Sequence, residues 1–347
     1  MTWVNTIGTR PPRLDLVTAK RGIEKAKGWL SGSPRNLSKT ALPDNLDIID
    51  AKMWPWMTHT WDRLINRSLL SQQLAEKAKH ATILTTIPLV ANLINKVPAK
   101  NWVYYCVDDF SVWPGLDEKA IKCTEPQMIK MADKVIAVSE NLQKKVLRQR
   151  DQCDLLTHGV NLDHWKRATT VFDWSNLNIP APVYLFWGVI DQRMDTSWLV
   201  ELSKQMTQGS IVLAGPDQNP DPKLLEVPRV HCLGAIAYQD LPKMAVNADV
   251  LIMPYRDSPV TRAMQPLKMK EYLATGKPVV ARRLPALEEW GDCSDLVTNA
   301  TDFAKRVIHR GGEPANREQL TNRSRLTAES WSNKAHQLVE IIESSSR

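Results

Sequence analysis

Residues 249–281, DVLIMPYRDSPVTRAMQPLKMKEYLATGKPVVA, decide the fold. Two short apolar runs, 250–253 and 278–281, lack the alternation of a half-exposed strand, so they read as parallel strands covered on both faces. Pro254 closes the first run, Gln265-Pro266 opens a helix at about Leu267, and Thr275-Gly276 ends it. A helix N-terminus just past the carboxyl end of a strand is where α/β sheets hold anions, because its open N–H groups and its dipole favour negative charge. Glu271, one turn into this helix, is either a solvated charge or an acceptor for the hydroxyls of a sugar diol.

Outward from this stretch, strand and helix patterns alternate along the whole chain. The second half has expected strands at 183–187, 211–214, 230–233, 250–253, 278–281 and 296–297, with strand ends marked by Gly, Asp or Pro. The first half has them at 2–8, 46–50, 82–86, 102–107, 134–138 and 155–158, with helices at 17–29, 62–79, 125–132 and 140–148. The fold class is α/β, with doubly wound parallel sheets. Residues 166–181 lose both periodicities and carry prolines, so they read as a linker between a domain at 1–165 and one at 182–325. A helix within 326–347 is expected to pack back towards the first domain. The strand, tight turn and helix that normally open a Rossmann-type domain have no counterpart here, which reads as a Met1 lying downstream of the true start.

A length of 347 residues suits two such domains, and 43% hydrophobic with 24% charged residues is a globular composition. The net charge of +7 comes with no RRM, zinc-finger or basic-zipper pattern, so no nucleic-acid partner is expected. Peripheral attraction to an anionic membrane or to phosphate-bearing substrates remains compatible with it. Five scattered cysteines without a CxxC pair point to reduced thiols and a cytoplasmic protein, at most peripheral at the inner membrane face. Cys106 and Cys232 fall in expected strands and read as core. No signal peptide and no apolar run of the ~20 residues needed to span a bilayer is present.

Four loops at the carboxyl edge of the second sheet, 188–195, 215–222, 234–238 and 255–267, are placed to meet a ligand. Gly188 allows close backbone approach. Arg193 either pairs with a diphosphate or forms an ion pair with Asp191 or Asp195. Arg262 and Lys268 flank the helix N-terminus, and Lys268 opposes the helix dipole there unless an anion binds. In the first half, Asp108-Asp109 at a strand end is either a catalytic or binding pair, or a cap with a solvated acid. Trp54, Trp56 and Trp61 either line an acceptor surface or pack their own loop. His158, before Gly159, is either a ligand contact or a packed loop residue. The adjacent Asp108-Asp109 pair is not a DxD motif, so no metal and no other cofactor is expected. GxGxxG after a strand, GxxxxGK[ST], GxSxG and HExxH are all missing, which disfavours dehydrogenases, P-loop NTPases, serine hydrolases and zinc hydrolases.

The segments Ala137-Val138-Ser139-Glu140-Asn141-Leu142 and Thr157-His158-Gly159-Val160-Asn161 resemble the passage that closes the first domain of family 4 glycosyltransferases. Gly188 through Asp195, Leu213-Ala214-Gly215, Val230 to Pro254 and above all Pro266 to Val280 resemble the successive motifs of that family's second domain. The resemblance implies a GT-B protein: two Rossmann-like domains facing each other across a cleft, the second holding a nucleoside diphosphate-sugar. It implies a metal-independent, generally retaining transfer to an acceptor that is a saccharide, a lipid-linked glycan or a small molecule, as in polysaccharide or glycoconjugate biosynthesis. Carried over, Glu271 would bind the ribose hydroxyls. The N–H groups at Gln265, Pro266 and Leu267, beside Thr261, Arg262 and Lys268, would lie at the diphosphate with Arg193, though Pro266 itself has no N–H to give. Gly188 and Gly215 would line the donor, and Gly234, Ala235 and Ile236 would meet the base. Asp108 and Asp109 would orient sugar or acceptor as the catalytic pair, with His158 on the acceptor side. Two positions depart from the family: Ala263 stands where a second glutamate is usual, and Val189 where an arginine follows the glycine. A sugar-nucleotide epimerase of the same build and a non-catalytic binding protein are the alternative readings.

Overall fold

The computed structural model describes residues 1–6, 43–113, 115–166, 172–265 and 267–344. The helix expected at 17–29, residues 167–171 of the expected linker, and Pro266 lie outside them. The chain forms two compact units, the first ending at Asp154 and the second beginning at Leu155. This boundary falls before the expected one at 165, because Val160 and Trp165 are buried in the core of the second unit. The C-terminal helix likewise belongs to the second unit.

In the first unit, β1 (Thr2–Asn5) and β2 (Asp47–Asp50) pair in parallel as a separate two-stranded sheet. The main sheet has the order β3 (Thr82–Thr85), β4 (Asn101–Cys106), β5 (Lys134–Ala137), β6 (Asp154–Leu155). Its helices are α1 (Thr60–Ala78), α2 (Glu118–Met131) and α3 (Glu140–Leu147). Helix α2 starts well before the expected 125, because Asp117 caps it through Ala120 N and Pro126 is accommodated inside it. The strand expected at 155–158 stops at Leu155, since the following backbone is bound elsewhere, as described below. Trp54, Trp56 and Trp61 pack on one another, with centroids 5.1 and 5.8 Å from Trp54. Buried Asn66 and Asp62 pin that loop: Asn66 bonds Trp54 N and the Trp54 and Trp56 carbonyls, while Asp62 accepts from the Trp54 indole at 2.8 Å.

The second unit contains a six-stranded sheet of order β12 (Asp295–Val297), β11 (Val279–Arg282), β10 (Val250–Met253), β7 (Val183–Trp187), β8 (Ser210–Ala214), β9 (Val230–Gly234). All five neighbouring pairs of this sheet are parallel. Strands β7, β8 and β10 are buried along their whole length, as their unbroken apolar runs require. Cys232 is exposed, contrary to the core position expected for it, because β9 is the edge strand. The helices are α4 (Leu162–Lys166), α5 (Thr196–Gln205), α6 (Leu241–Val246), α7 (Pro259–Ala263), α8 (Leu267–Ala274), α9 (Ala300–Arg310), α10 (Arg317–Asn322) and α11 (Trp331–Glu343). Strand order reverses between β7 and β10, and in open α/β sheets the crevice at such a switch point is the ligand site. No helix among the described residues is long and apolar enough to cross a membrane.

Candidate functional site

The switch point is built first from two glycine backbones. Gly188 follows β7 with φ +138°, and a Cβ there would lie 1.9 Å from Lys268 Cε. The Lys268 side chain therefore lies directly over the end of β7, where its ammonium faces the carboxyl edge. A Cβ on Gly215, at the end of β8, would meet the Gly188 carbonyl oxygen at 1.8 Å. Only glycine lets the two strand ends touch in this way. The loop after Gly188 is tied to its neighbours by Ile190 N to Pro216 O (3.0 Å), Asp195 N to Pro254 O (2.8 Å) and Arg256 N to Arg193 O (2.6 Å).

Glu271 sits on α8 beside this floor. The indole N–H of Trp187, the last residue of β7, donates to Glu271 Oε2 at 3.1 Å. The nearby Tyr238 phenol also favours the ionised carboxylate. Burial pushes the Glu271 carboxyl above its ordinary range, opposed by the Trp187 bond and the charge of Lys268. The donors themselves are held by aromatic packing. Trp187 stacks on Trp165 at 5.0 Å, and its backbone N–H donates to the Tyr272 hydroxyl at 3.1 Å. Tyr238 stacks on His164 at 4.1 Å, with the planes only 5° apart. Glu271 is thus a half-buried carboxylate held by neutral donors, with a lysine ammonium on its own helix.

The remaining expected residues divide into those gathered here and those committed elsewhere. Arg193 grips Asp191, with Nε 2.9 and 3.0 Å from the two carboxylate oxygens, which is the ion pair its loop allowed. Arg262 is paired with Asp257 at 2.5 and 2.8 Å. Thr261 is fully buried and bonds the Arg256 and Ser258 carbonyls and the Ser258 N–H, so it fastens its own loop. Gln265 Oε1 accepts from His158 N at 2.9 Å, bringing those two together within the second unit. Gly234 ends β9, with Ala235 exposed and Ile236 half-buried after it. Leu267, the first residue of α8, is exposed.

In the first unit, Asp109 accepts from Lys145 at 2.8 Å and from Ser111. Lys145 also donates to Glu125 at 2.9 Å, and Glu125 accepts from the Tyr104 hydroxyl at 3.1 Å. Burial would raise the Asp109 carboxyl, but the Lys145 and Ser111 bonds overcome it and hold the group below its usual range. The Asp108 carbonyl accepts from the Cys106 thiol at 3.8 Å.

Sequence reasoning missed Trp187, Tyr238 and His164, and it missed Lys270. The Lys270 ammonium is almost fully buried. It pairs with Glu329 and donates to His158 O at 2.6 Å and Thr157 Oγ1 at 3.0 Å, which draws that backbone out of the first sheet. Lys334 closes the cluster onto Glu329 at 2.9 Å. Burial and the nearby Lys270 charge depress His158 to about 4. The one available signal was the placement of Lys270 on the inward face of α8, between Met269 and Glu271. Among the described residues, no group of three or more His, Cys, Asp or Glu side chains is arranged to hold a metal ion.

A six-stranded parallel sheet in this order, with a carboxylate and a lysine at its switch point, defines a Rossmann-type domain. Residues 181–310 match the family model of glycosyl transferases group 1. A curated relative, the putative teichuronic acid biosynthesis glycosyltransferase TuaH of Bacillus subtilis (strain 168), is 32% identical over 177 residues. That alignment covers 48% of this chain and 45% of the relative, so the chain spans about half its length. Among solved structures, sucrose-phosphate synthase from Thermosynechococcus elongatus superposes with a TM-score of 0.69 at 18% identity, over 98% of each chain. Anabaena HepE in complex with UDP gives 0.66 at 14% identity, over 86% of each. At these identities the likeness is one of fold, the GT-B class with two Rossmann-like parallel sheets.

Proposed function

We infer that this protein is a glycosyltransferase that moves a sugar from a nucleoside diphosphate-sugar to an acceptor, without a metal and with retention of configuration. The observation that carries the reading is Glu271 held by Trp187 beside Lys268, over the Gly188–Gly215 floor. A carboxylate fixed by neutral donors keeps acceptor capacity for a ribose diol, and an ammonium across the strand end is placed for a diphosphate. HepE binds UDP and UDP-glucose in its structures, which makes a uridine diphosphate donor the first to test. As the bond from the anomeric carbon to the diphosphate lengthens, negative charge gathers on the leaving oxygen. Lys268 and the start of α8 would stabilise it more in the transition state than in the ground state. Asp108 and Asp109 of the first unit are proposed to orient the sugar or the acceptor, and the reaction is proposed to run in the cytoplasm, with peripheral contact to the inner membrane face.

The test is calorimetric titration with UDP, together with turnover of UDP-sugars against an acceptor panel. Glu271→Ala is expected to weaken UDP binding about tenfold or more, the loss of charge-assisted bonds to a diol. Unchanged UDP affinity and turnover in that variant would sink the assignment. Conversion of the donor sugar without any acceptor would favour the epimerase reading instead.

A further inference from the structure

Helix α8 holds Glu271 between two grips, and one of them lies outside the donor floor. Lys270, Glu271 and Tyr272 are consecutive, so their side chains leave the helix about 100° apart. On the side of β7, Tyr272 accepts the backbone N–H of Trp187 on its hydroxyl and Glu271 accepts the Trp187 indole, both at 3.1 Å. Lys270 departs in nearly the opposite direction from Tyr272. Its ammonium donates to His158 O at 2.6 Å and Thr157 Oγ1 at 3.0 Å and pairs with Glu329. Gln265, two residues before the helix, accepts from His158 N at 2.9 Å, so α8 and its lead-in grip both backbone groups of one residue.

This second anchor is stiff. Val160 N donates to Glu329 O at 2.9 Å, Trp331 N to Val160 O at 3.3 Å, and Thr157 Oγ1 to Glu329 Oε2 at 3.0 Å. Between them Gly159 lies flat on Trp331, where a Cβ would come within 2.7 Å of a ring carbon. Lys270 therefore ties α8 to a pinned backbone. A turn of the helix by about 10° carries a side-chain end at its surface through about 1 Å. That displacement takes the Glu271–Trp187 contact out of hydrogen-bond range. Such a turn must first break the bonds of Lys270.

We propose that Lys270 is a positioning residue for the donor, which fixes the rotation of α8 and so the place of the Glu271 carboxylate. The inference rests on the glycosyltransferase reading only for the identity of the ligand. The cluster allows a clean test, because two ammonium groups, Lys270 and Lys334, share the Glu329 carboxylate. Either lysine can be replaced by methionine while the other still neutralises the acid, so neither change strands a buried charge.

Calorimetry with UDP on the full chain compares Lys270→Met, Lys334→Met, Glu271→Ala and the double variant Lys270→Met/Glu271→Ala. Lys270→Met is expected to weaken UDP about tenfold and Lys334→Met by less than about twofold. In the Glu271→Ala background, Lys270→Met should have no further effect, because the group it positions is gone. A second readout needs no ligand: the Trp187 indole N–H resonance, assigned by its loss in Trp187→Phe. It should move in Lys270→Met in the direction it takes in Glu271→Ala, and stay in place in Lys334→Met. Unchanged affinity in Lys270→Met, equal losses from the two lysines, or a loss that persists without Glu271 overturns the positioning role. Absence of UDP binding removes the proposed function instead, and the resonance then decides: an unmoved indole signal in Lys270→Met overturns the inference.

Discussion

Asp109 and Glu271 are both carboxylates near the carboxyl edge of a parallel sheet, yet their surroundings oppose each other. Asp109, in the first unit, faces the Lys145 ammonium and Ser111, and these bonds keep it ionised below the ordinary carboxylate range. Glu271, in the second, is held by an indole, and burial raises its carboxyl. The first charge is neutralised inside the fold, whereas the second is kept at some cost to the fold and with acceptor capacity to spare. An acid that the fold stabilises is fixed in place by its neighbours; one that the fold tolerates keeps acceptor capacity for a ligand.

The comparison can be broken from either side. The largest expected effect is Lys145→Met, which leaves Asp109 and Glu125 together without their cation and should cost about 3 kcal/mol in urea unfolding. A loss well below that would mean the first-unit network is not the clamp its geometry implies. Gly215→Ala drives a Cβ into the Gly188 carbonyl under the Glu271 site, and should cost about 2 kcal/mol together with UDP binding. Gly312→Ala, with no atom within 4 Å of the added carbon, is the control.

Smaller, and opposite in sign, are Asp109→Asn and Glu271→Gln. The first should destabilise and the second stabilise at neutral pH, each by about 1 kcal/mol. Asp109 is held below its ordinary 3.8, so its contribution is present above that pH and lost as pH falls through the folded value. Glu271 is raised above 4.5, so its contribution is present below that pH and lost as pH rises through the folded value. Denaturation across the acid range should therefore show the two substitutions changing the slope in opposite directions. The smallest effect is Trp187→Phe, which keeps a ring against Trp165 but loses the bond to Glu271. UDP affinity should fall about fivefold by calorimetry with the melting temperature little changed.

The fold was largely legible because a sheet covered on both faces writes itself as unbroken apolar runs. The runs at 183–187 and 250–253 became β7 and β10 with the same bounds. Glu271 was legible because its helix carries its own start and stop. The start of α2 was not legible, since the helix expected from 125 begins at Glu118 under the Asp117 cap. The holders of Glu271 were not legible. Trp187, Tyr238 and His164 come from a strand end, a loop and a short helix far apart in the chain, and nothing in an aromatic residue announces which atom it will donate. Whether Arg193 would face Asp191 was a matter of side-chain direction, and the loop's composition allowed both outcomes.

The buried Lys270 cluster has a consequence for anyone wishing to divide the molecule. The stretch that matches the family ends at 310, but the acid neutralising Lys270 is at 329 and the carbonyl it binds is at 158. The stacking partner of Trp187 is at 165. A fragment cut to the matched stretch would strand an ammonium in the interior and uncover the indole that holds Glu271. The smallest piece able to report on nucleotide binding therefore starts before Thr157 and runs through Lys334, with flanks that no family boundary would have drawn.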